Sequence, residues 1–241
     1  MAYKTVRELN TDMDTVNRPG FRHTASAIAA LAHIFGLTAC ILTLVWLLHY
    51  RGGLAYDSRS ADLVFNCHPF FMLLGFVIVS GEAIMAYKTV RADKMTTKIV
   101  HMALHFVAIC MGIVGINAAF KFHDMIKLEH MFSLHSWIGI VTFCLYGLQW
   151  LLGLCTFLFT GATRETKARL LPWHISGGRA LLLMIICTAL TGLSQKATSS
   201  TLTGNNESRL LKFTGFFVLL FGISIDIAIG FDRFRHVDPT T

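Results

Sequence analysis

Long apolar runs alternate with short polar segments along the whole chain. Six runs, at about residues 24–49, 66–86, 99–119, 133–159, 173–193 and 210–230, approach the roughly 20 residues with which a helix crosses about 30 Å of hydrocarbon. The pattern predicts an all-α integral membrane protein of six transmembrane helices, with a short polar segment at 1–22, a membrane domain over 23–231 and a tail at 232–241. The predicted loops of about 12 to 16 residues are too short for a soluble nucleotide-binding or catalytic domain. Chemistry is therefore expected in the bundle or at its two faces. No cleavable secretory signal is expected, because the first apolar run follows about 22 polar residues and is too long for a signal-peptide core; it reads as an uncleaved anchor.

Composition agrees: 54% of the 241 residues are hydrophobic, only 15% are charged, and mean hydropathy is +0.57. The net charge of +7 is divided among short segments rather than gathered on one face. That excludes a nucleic-acid interface and makes the charge a topology signal. With six spans, 13 Lys and Arg fall on the side of the two termini and 7 on the other, Arg179 lying inside a span. The excess assigns both termini to the cytoplasm. Cys40, Cys67, Cys110, Cys144, Cys155 and Cys187 lie in or at the edges of spans without any CxxC pattern, so they read as small packing residues.

No repeat is visible in residue identity, but polar placement repeats. "FNCHPFFM", "TKIVHMALH", "FSLHSW" and "LLPWHISGG" put His68, His101, His135 and His174 near the starts of spans 2 to 5. Consecutive spans start on opposite faces, so His68 and His135 enter from the non-cytoplasmic side, His101 and His174 from the cytoplasmic side. Two layers follow, separated by roughly 20 Å along the bundle. Imidazoles in hydrocarbon are costly and call for partners. Packing, a proton path, a divalent-metal transporter and axial haem ligation are the candidate explanations. Glu82 and Asp226 are the candidate acids within spans, too few to complete the shell of a hard cation. Two imidazoles from facing helices suit the axial positions of a haem, leave no open iron site and so favour one-electron transfer. Gly75, Gly112, Gly115, Gly139, Gly177 and Gly178 could make room for a flat ring or simply pack helices.

At the level of motifs, "FNCHPFFMLLGF", "GEAIMAYKTV", "KIVH", "AAFKFH", "FSLHSWIGI" and "LLPWH" closely resemble the cytochrome b561 family of ascorbate-dependent transmembrane oxidoreductases, most of all its plant members. The resemblance implies a homodimer whose subunits each hold two b-type haems in the four-helix bundle of spans 2–5. It also implies ligand pairs His68 with His135 and His101 with His174. Cytoplasmic ascorbate would be the donor, and monodehydroascorbate or a ferric chelate the outer acceptor. The implied setting is a vacuolar or other endomembrane, with the plasma membrane as the alternative. His105 shares a helix face with His101 but lies a turn deeper, so His101 is the expected ligand.

An anionic donor needs an electropositive, wet entrance. Lys88, Arg91, Lys94 and Lys98 stand beside the inner site, with Arg164, Lys167 and Arg169 on the neighbouring segment; Lys94 and Lys98 are the preferred pair. On the outer face the resemblance assigns acceptor binding to Phe122 and His123, and proton exchange to His123. Phe132 stands where many relatives carry Tyr, which removes one hydroxyl from that site. His33 and His49 fall outside the four-span pattern and read as packing or interface residues. Asn206 opens an "NES" glycosylation sequon close to span 6.

Overall fold

The computed structural model describes residues 27–159, 161–199 and 204–233. The 1–22 segment with Lys4, Arg7, Arg18 and Arg22, and Arg235 in the tail, lie outside the described residues. Six helices long and apolar enough to cross a membrane make up the fold: α1 Ala27–Tyr50, α2 Ala61–Thr89, α3 Lys94–Ile126, α4 Leu134–Phe159, α5 Arg164–Ala197 and α6 Asn206–Gly230.

Four of the helices run well past the apolar windows, and the connections are correspondingly shorter than predicted, 90–93 between α2 and α3 among them. Hydropathy marks where lipid ends, whereas a helix ends where its backbone is capped. The Asp93 carboxylate accepts from the amides of Met95 (2.9 Å) and Thr96 (3.1 Å) and starts α3. Ser133 starts α4 through the Ser136 amide at 3.2 Å, and Thr163 starts α5 through the Thr166 amide at 3.2 Å. Lys127, in the left-handed region at φ 57°, closes α3. Lys88, Lys94, Lys98, Phe122, His123, Arg164, Lys167 and Arg169 therefore stand on helix ends rather than in loops.

In α2 the regular helix gives way after Pro69 to i→i+5 hydrogen bonding over Phe70–Val79. Proline supplies no N–H to the ladder, and wide turns of this kind recur beside functional sites. Here the change begins two residues after His68.

Helices α2 to α5 pack each against its neighbour, α2 against α3, α3 against α4, α4 against α5 and α5 back against α2. Diagonal partners, α2 with α4 and α3 with α5, share no extensive contact, so the centre of the bundle stays open to side chains. Helices α1 and α6 lie outside this square. Phe221 of α6 is fully buried and presses on glycines of two helices: a Cβ on Gly81 would come within 2.4 Å of its ring and one on Gly36 within 3.0 Å. Small residues permitting close approach are what hold helices together where lipid removes the hydrophobic drive. Outward faces carry exposed Leu37, Leu48, Phe106, Ile113, Leu148 and Leu152, the surface that lipid covers.

Several polar residues inside spans are paired. Arg179 of α5 holds Asp226 of α6 through two hydrogen bonds, Nε at 2.7 Å and Nη2 at 2.9 Å. His33 Nδ1 donates to Glu82 at 2.9 Å, joining α1 to α2, which gives His33 an electrostatic partner rather than a bare packing role. Trp46 Nε1 donates to Glu207 at 2.8 Å, and Arg51 reaches Asp62 at 2.9 Å.

Candidate functional site

Two imidazole pairs occupy the open centre of the bundle, one at each end. His68 of α2 faces His135 of α4 with ring centres 6.0 Å apart. His101 of α3 faces His174 of α5 at 6.4 Å. Both pairs run along diagonals of the helix square, and the two diagonals cross.

Each ring is held from behind by the helix next to its own. His68 Nδ1 donates to the Gly115 carbonyl of α3 at 2.9 Å, and His101 Nδ1 to the Ala83 carbonyl of α2 at 2.7 Å. His135 Nδ1 donates to the Thr188 carbonyl of α5 at 2.9 Å. At His174 the Gln149 side-chain amide of α4 takes that place, 3.2 Å from Nδ1, while also donating to the His174 carbonyl at 2.7 Å. The contacts are reciprocal within α2–α3 and again within α4–α5, so the repeat seen in polar placement is also a repeat of geometry. At His68, His101 and His135 the carbonyl bonds at Nδ1 fix the tautomer and leave Nε2 free as an acceptor.

The residues fit an axially ligated metal. With each metal–nitrogen bond near 2 Å, two imidazoles about one ion have ring centres about 6 Å apart. Among the described residues no cluster of three or more His, Cys, Asp or Glu is arranged to hold a bare ion, and Glu82 and Asp226 are committed to His33 and Arg179. A haem needs only two protein ligands.

Of the two roles the sequence leaves open for six glycines, their surroundings match packing. A Cβ on Gly75, Gly112 or Gly115 would meet Met111, Phe143 or Met72 within 2.5 to 2.9 Å, on Gly139 the Thr188 methyl at 3.3 Å, and on Gly177 or Gly178 the Gln149 amide at 3.2 and 3.9 Å. These six serve helix and side-chain packing rather than lining a ring. The glycines against the imidazoles are Gly192, where a Cβ would stand 2.6 Å from His135, and Gly153, where it would stand 3.0 Å from His174. Each lies 18 residues beyond the histidine of its own helix, five turns along the same face. Sequence reading missed both, although that matched spacing was available.

His105 is the fifth imidazole in the interior. Its ring touches His101 at 4.5 Å, and its Nδ1 lies 2.5 Å from the Tyr146 hydroxyl. Tyr146 is nearly fully buried between Phe76 and His105. The geometry thus gives His174 to His101 and Tyr146 to His105.

At the His101 end the half-exposed Tyr87 ring lies 5.3 Å from His101, and the Phe157 ring 5.2 Å from His174. Lys98 Nζ donates to the Phe157 carbonyl at 3.0 Å, which brings it to the edge of this pair. Lys94 and Arg91 are exposed and Lys88 is half-buried on the last turn of α2. Arg164, Lys167 and Arg169 open α5 at the same end, so the basic residues do gather there.

At the His68 end a row of rings leads outward. Phe65 stands 6.1 Å from His68 and 4.8 Å from Phe122, and Phe122 stands 5.8 Å from His123. Lys196 Nζ lies 4.9 Å over Phe65. His123 packs against Phe132 at 5.7 Å and against His130, nearly parallel, at 5.7 Å. Ser133 and Ser136 share a 2.9 Å hydroxyl bond in the α4 cap. The "NES" serine, Ser208, is fully buried and donates to the Ala197 carbonyl at 2.8 Å; Asn206 is the first residue of α6.

A family model described as eukaryotic cytochrome b561 matches residues 67–200. A probable ascorbate-specific transmembrane electron transporter 1 of Oryza sativa subsp. japonica is 41% identical over 209 residues, 85% of this chain and 89% of its own. Transmembrane ascorbate ferrireductase 1 of Arabidopsis thaliana is 40% identical over 205 residues, 83% and 86% of the two chains. A transmembrane ascorbate-dependent reductase of Mus musculus is 38% identical over 201 residues, 81% and 79%.

Proposed function

Because the chain belongs to the eukaryotic cytochrome b561 family of haem b oxidoreductases, we propose that it moves single electrons across a membrane from cytoplasmic ascorbate to an acceptor on the other side. The observation that carries this reading is the two diagonal imidazole pairs, 6.0 and 6.4 Å between ring centres, at opposite ends of one bundle. Haem b, two per chain, supplies a one-electron carrier at each pair. His68 and His135 hold the outer one and His101 and His174 the inner one, with both termini in the cytoplasm.

At the cytoplasmic face Lys94 and Lys98, aided by Lys88 and Arg91, attract and orient the ascorbate anion beside Tyr87 and His101. At the outer face Phe122 and His123 receive monodehydroascorbate or a ferric chelate. The apolar spans keep water and both substrates out of the bundle between the two ends. The functional unit is a homodimer in an endomembrane such as the vacuolar membrane.

The test is a proteoliposome assay with ascorbate trapped inside and either a radical source or an impermeant ferric chelate outside. Purified protein should carry two haems, reduced by ascorbate without NADPH. His68→Ala should remove one haem and His101→Ala the other, and each should stop transfer. Haem-free protein, or transfer unchanged in both variants, would refute the reading.

A further inference from the structure

We propose that His130, held by Asp124 and stacked on His123, is the proton donor for the outer acceptor; this rests on the electron-transfer reading above. His130 lies in the 127–133 connection between α3 and α4, five residues before His135. Its Nε2–H donates to the Asp124 carboxylate at 3.1 Å. Its ring meets Phe120 edge-on at 5.0 Å on one side and lies 25° from the plane of His123 at 5.7 Å on another.

The backbone is bent to achieve this. Lys127 and Met131 both adopt φ 57°, a left-handed conformation that is strained for a non-glycine residue. Among the described residues they are the only non-glycine residues with positive φ, and together they bracket His130. Strain of this kind concentrates where a loop must present a side chain in one place.

The chemistry follows from which nitrogens are engaged. His123 Nδ1 is buried without a hydrogen-bond partner, so no protein group relays a proton to His123 through that nitrogen. In His130 the Asp124 carboxylate takes Nε2–H, which orients the ring and leaves Nδ1 to carry and release a proton. Asp124 and His123, both on α3, are the titratable groups in contact with it. An ascorbate-type radical anion that accepts one electron from the transmembrane path takes one proton from the His130 imidazolium and leaves as the monoanion. His130 is then reprotonated from the outer aqueous phase. A ferric complex that takes an electron alone has no use for this proton.

That difference supplies the test. Full-length His130→Gln and Asp124→Asn are reconstituted with haem content checked spectrally, and outer-side reduction of monodehydroascorbate is compared with that of ferricyanide in H2O and in D2O. In wild type the radical reaction should slow more in D2O than the ferricyanide reaction. In His130→Gln the radical rate should drop about tenfold, while the ferricyanide rate changes less than twofold. Asp124→Asn should show a smaller loss of the same selectivity. Equal slowing of both acceptors would make His130 merely structural, and an unaltered radical rate and isotope effect would overturn the proposal. Failure of wild type with both acceptors would instead refute the electron-transfer reading.

Discussion

Gly192 and His135 approach so closely that a Cβ on the glycine would stand 2.6 Å from the imidazole Cε1. The ring cannot retreat, because its Nδ1 is tied to the Thr188 carbonyl one turn away on the same helix as the glycine. Gly192→Ala should therefore displace the outer ligand, at a cost of about 1–3 kcal/mol for overpacking, with loss of the outer haem absorption. Gly153→Ala, at 3.0 Å from His174, should perturb the inner haem less. Reduced-minus-oxidised spectra of the two variants check both outcomes.

Tyr146 is the buried partner of His105, which in turn touches His101. Tyr146→Phe removes that hydroxyl and should lower stability by about 1–3 kcal/mol by leaving a polar nitrogen unsatisfied. A redox titration should show the inner haem potential moved and the outer one unmoved.

The Arg179–Asp226 pair joins α5 to α6 inside the apolar zone. Asp226→Ala leaves a guanidinium without its anion in a span, at a cost of about 3 kcal/mol. Replacing both residues with apolar ones should restore most of the thermal stability lost in the single variant, as measured in detergent.

Asp93 caps α3 from outside the membrane-spanning segments, and its carboxyl is held below the usual carboxylate range, chiefly by the Thr96 hydroxyl and then by the Thr96 amide. A lowered folded-state value means the cap is intact above the ordinary carboxylate range, about pH 3.9, and is lost as pH falls through the lowered value. Hydrogen exchange at the Met95 and Thr96 amides should show constant protection from pH 7 to 5 and a decline only in stronger acid. Asp93→Ala should abolish the protection at every pH.

Phe132 packs 5.7 Å from His123 at the His68 end of the bundle. Phe132→Tyr adds a hydroxyl there, and one hydrogen bond of about 1 kcal/mol should lower KM for an anionic acceptor about fivefold. Steady-state kinetics with monodehydroascorbate and a ferric chelate would measure it; no change in either KM would place the acceptor away from Phe132.

The six spans were legible because lipid leaves no choice but helices, and their ends were not, because helices continue through polar residues until Asp93, Ser133 or Thr163 caps them. The four histidines stood out because imidazole in a span demands a reason. Their supports did not: Tyr146 and Gln149 follow His135 by 11 and 14 residues, close to whole turns on its face, yet nothing in composition separates them from ordinary interior polar residues. His130 depended on a loop conformation set by Lys127 and Met131, residue types with no preference for positive φ.

The crossed diagonals have a consequence for how the protein is made and how it could be divided. The paired histidines leave the ribosome in the order His68, His101, His135, His174, so the first pair has both members only once α4 is inserted and the second only once α5 follows. A break in the chain anywhere between His101 and His135 separates both pairs at once. Neither half of the molecule can thus be inherited, duplicated or expressed with a complete imidazole pair of its own.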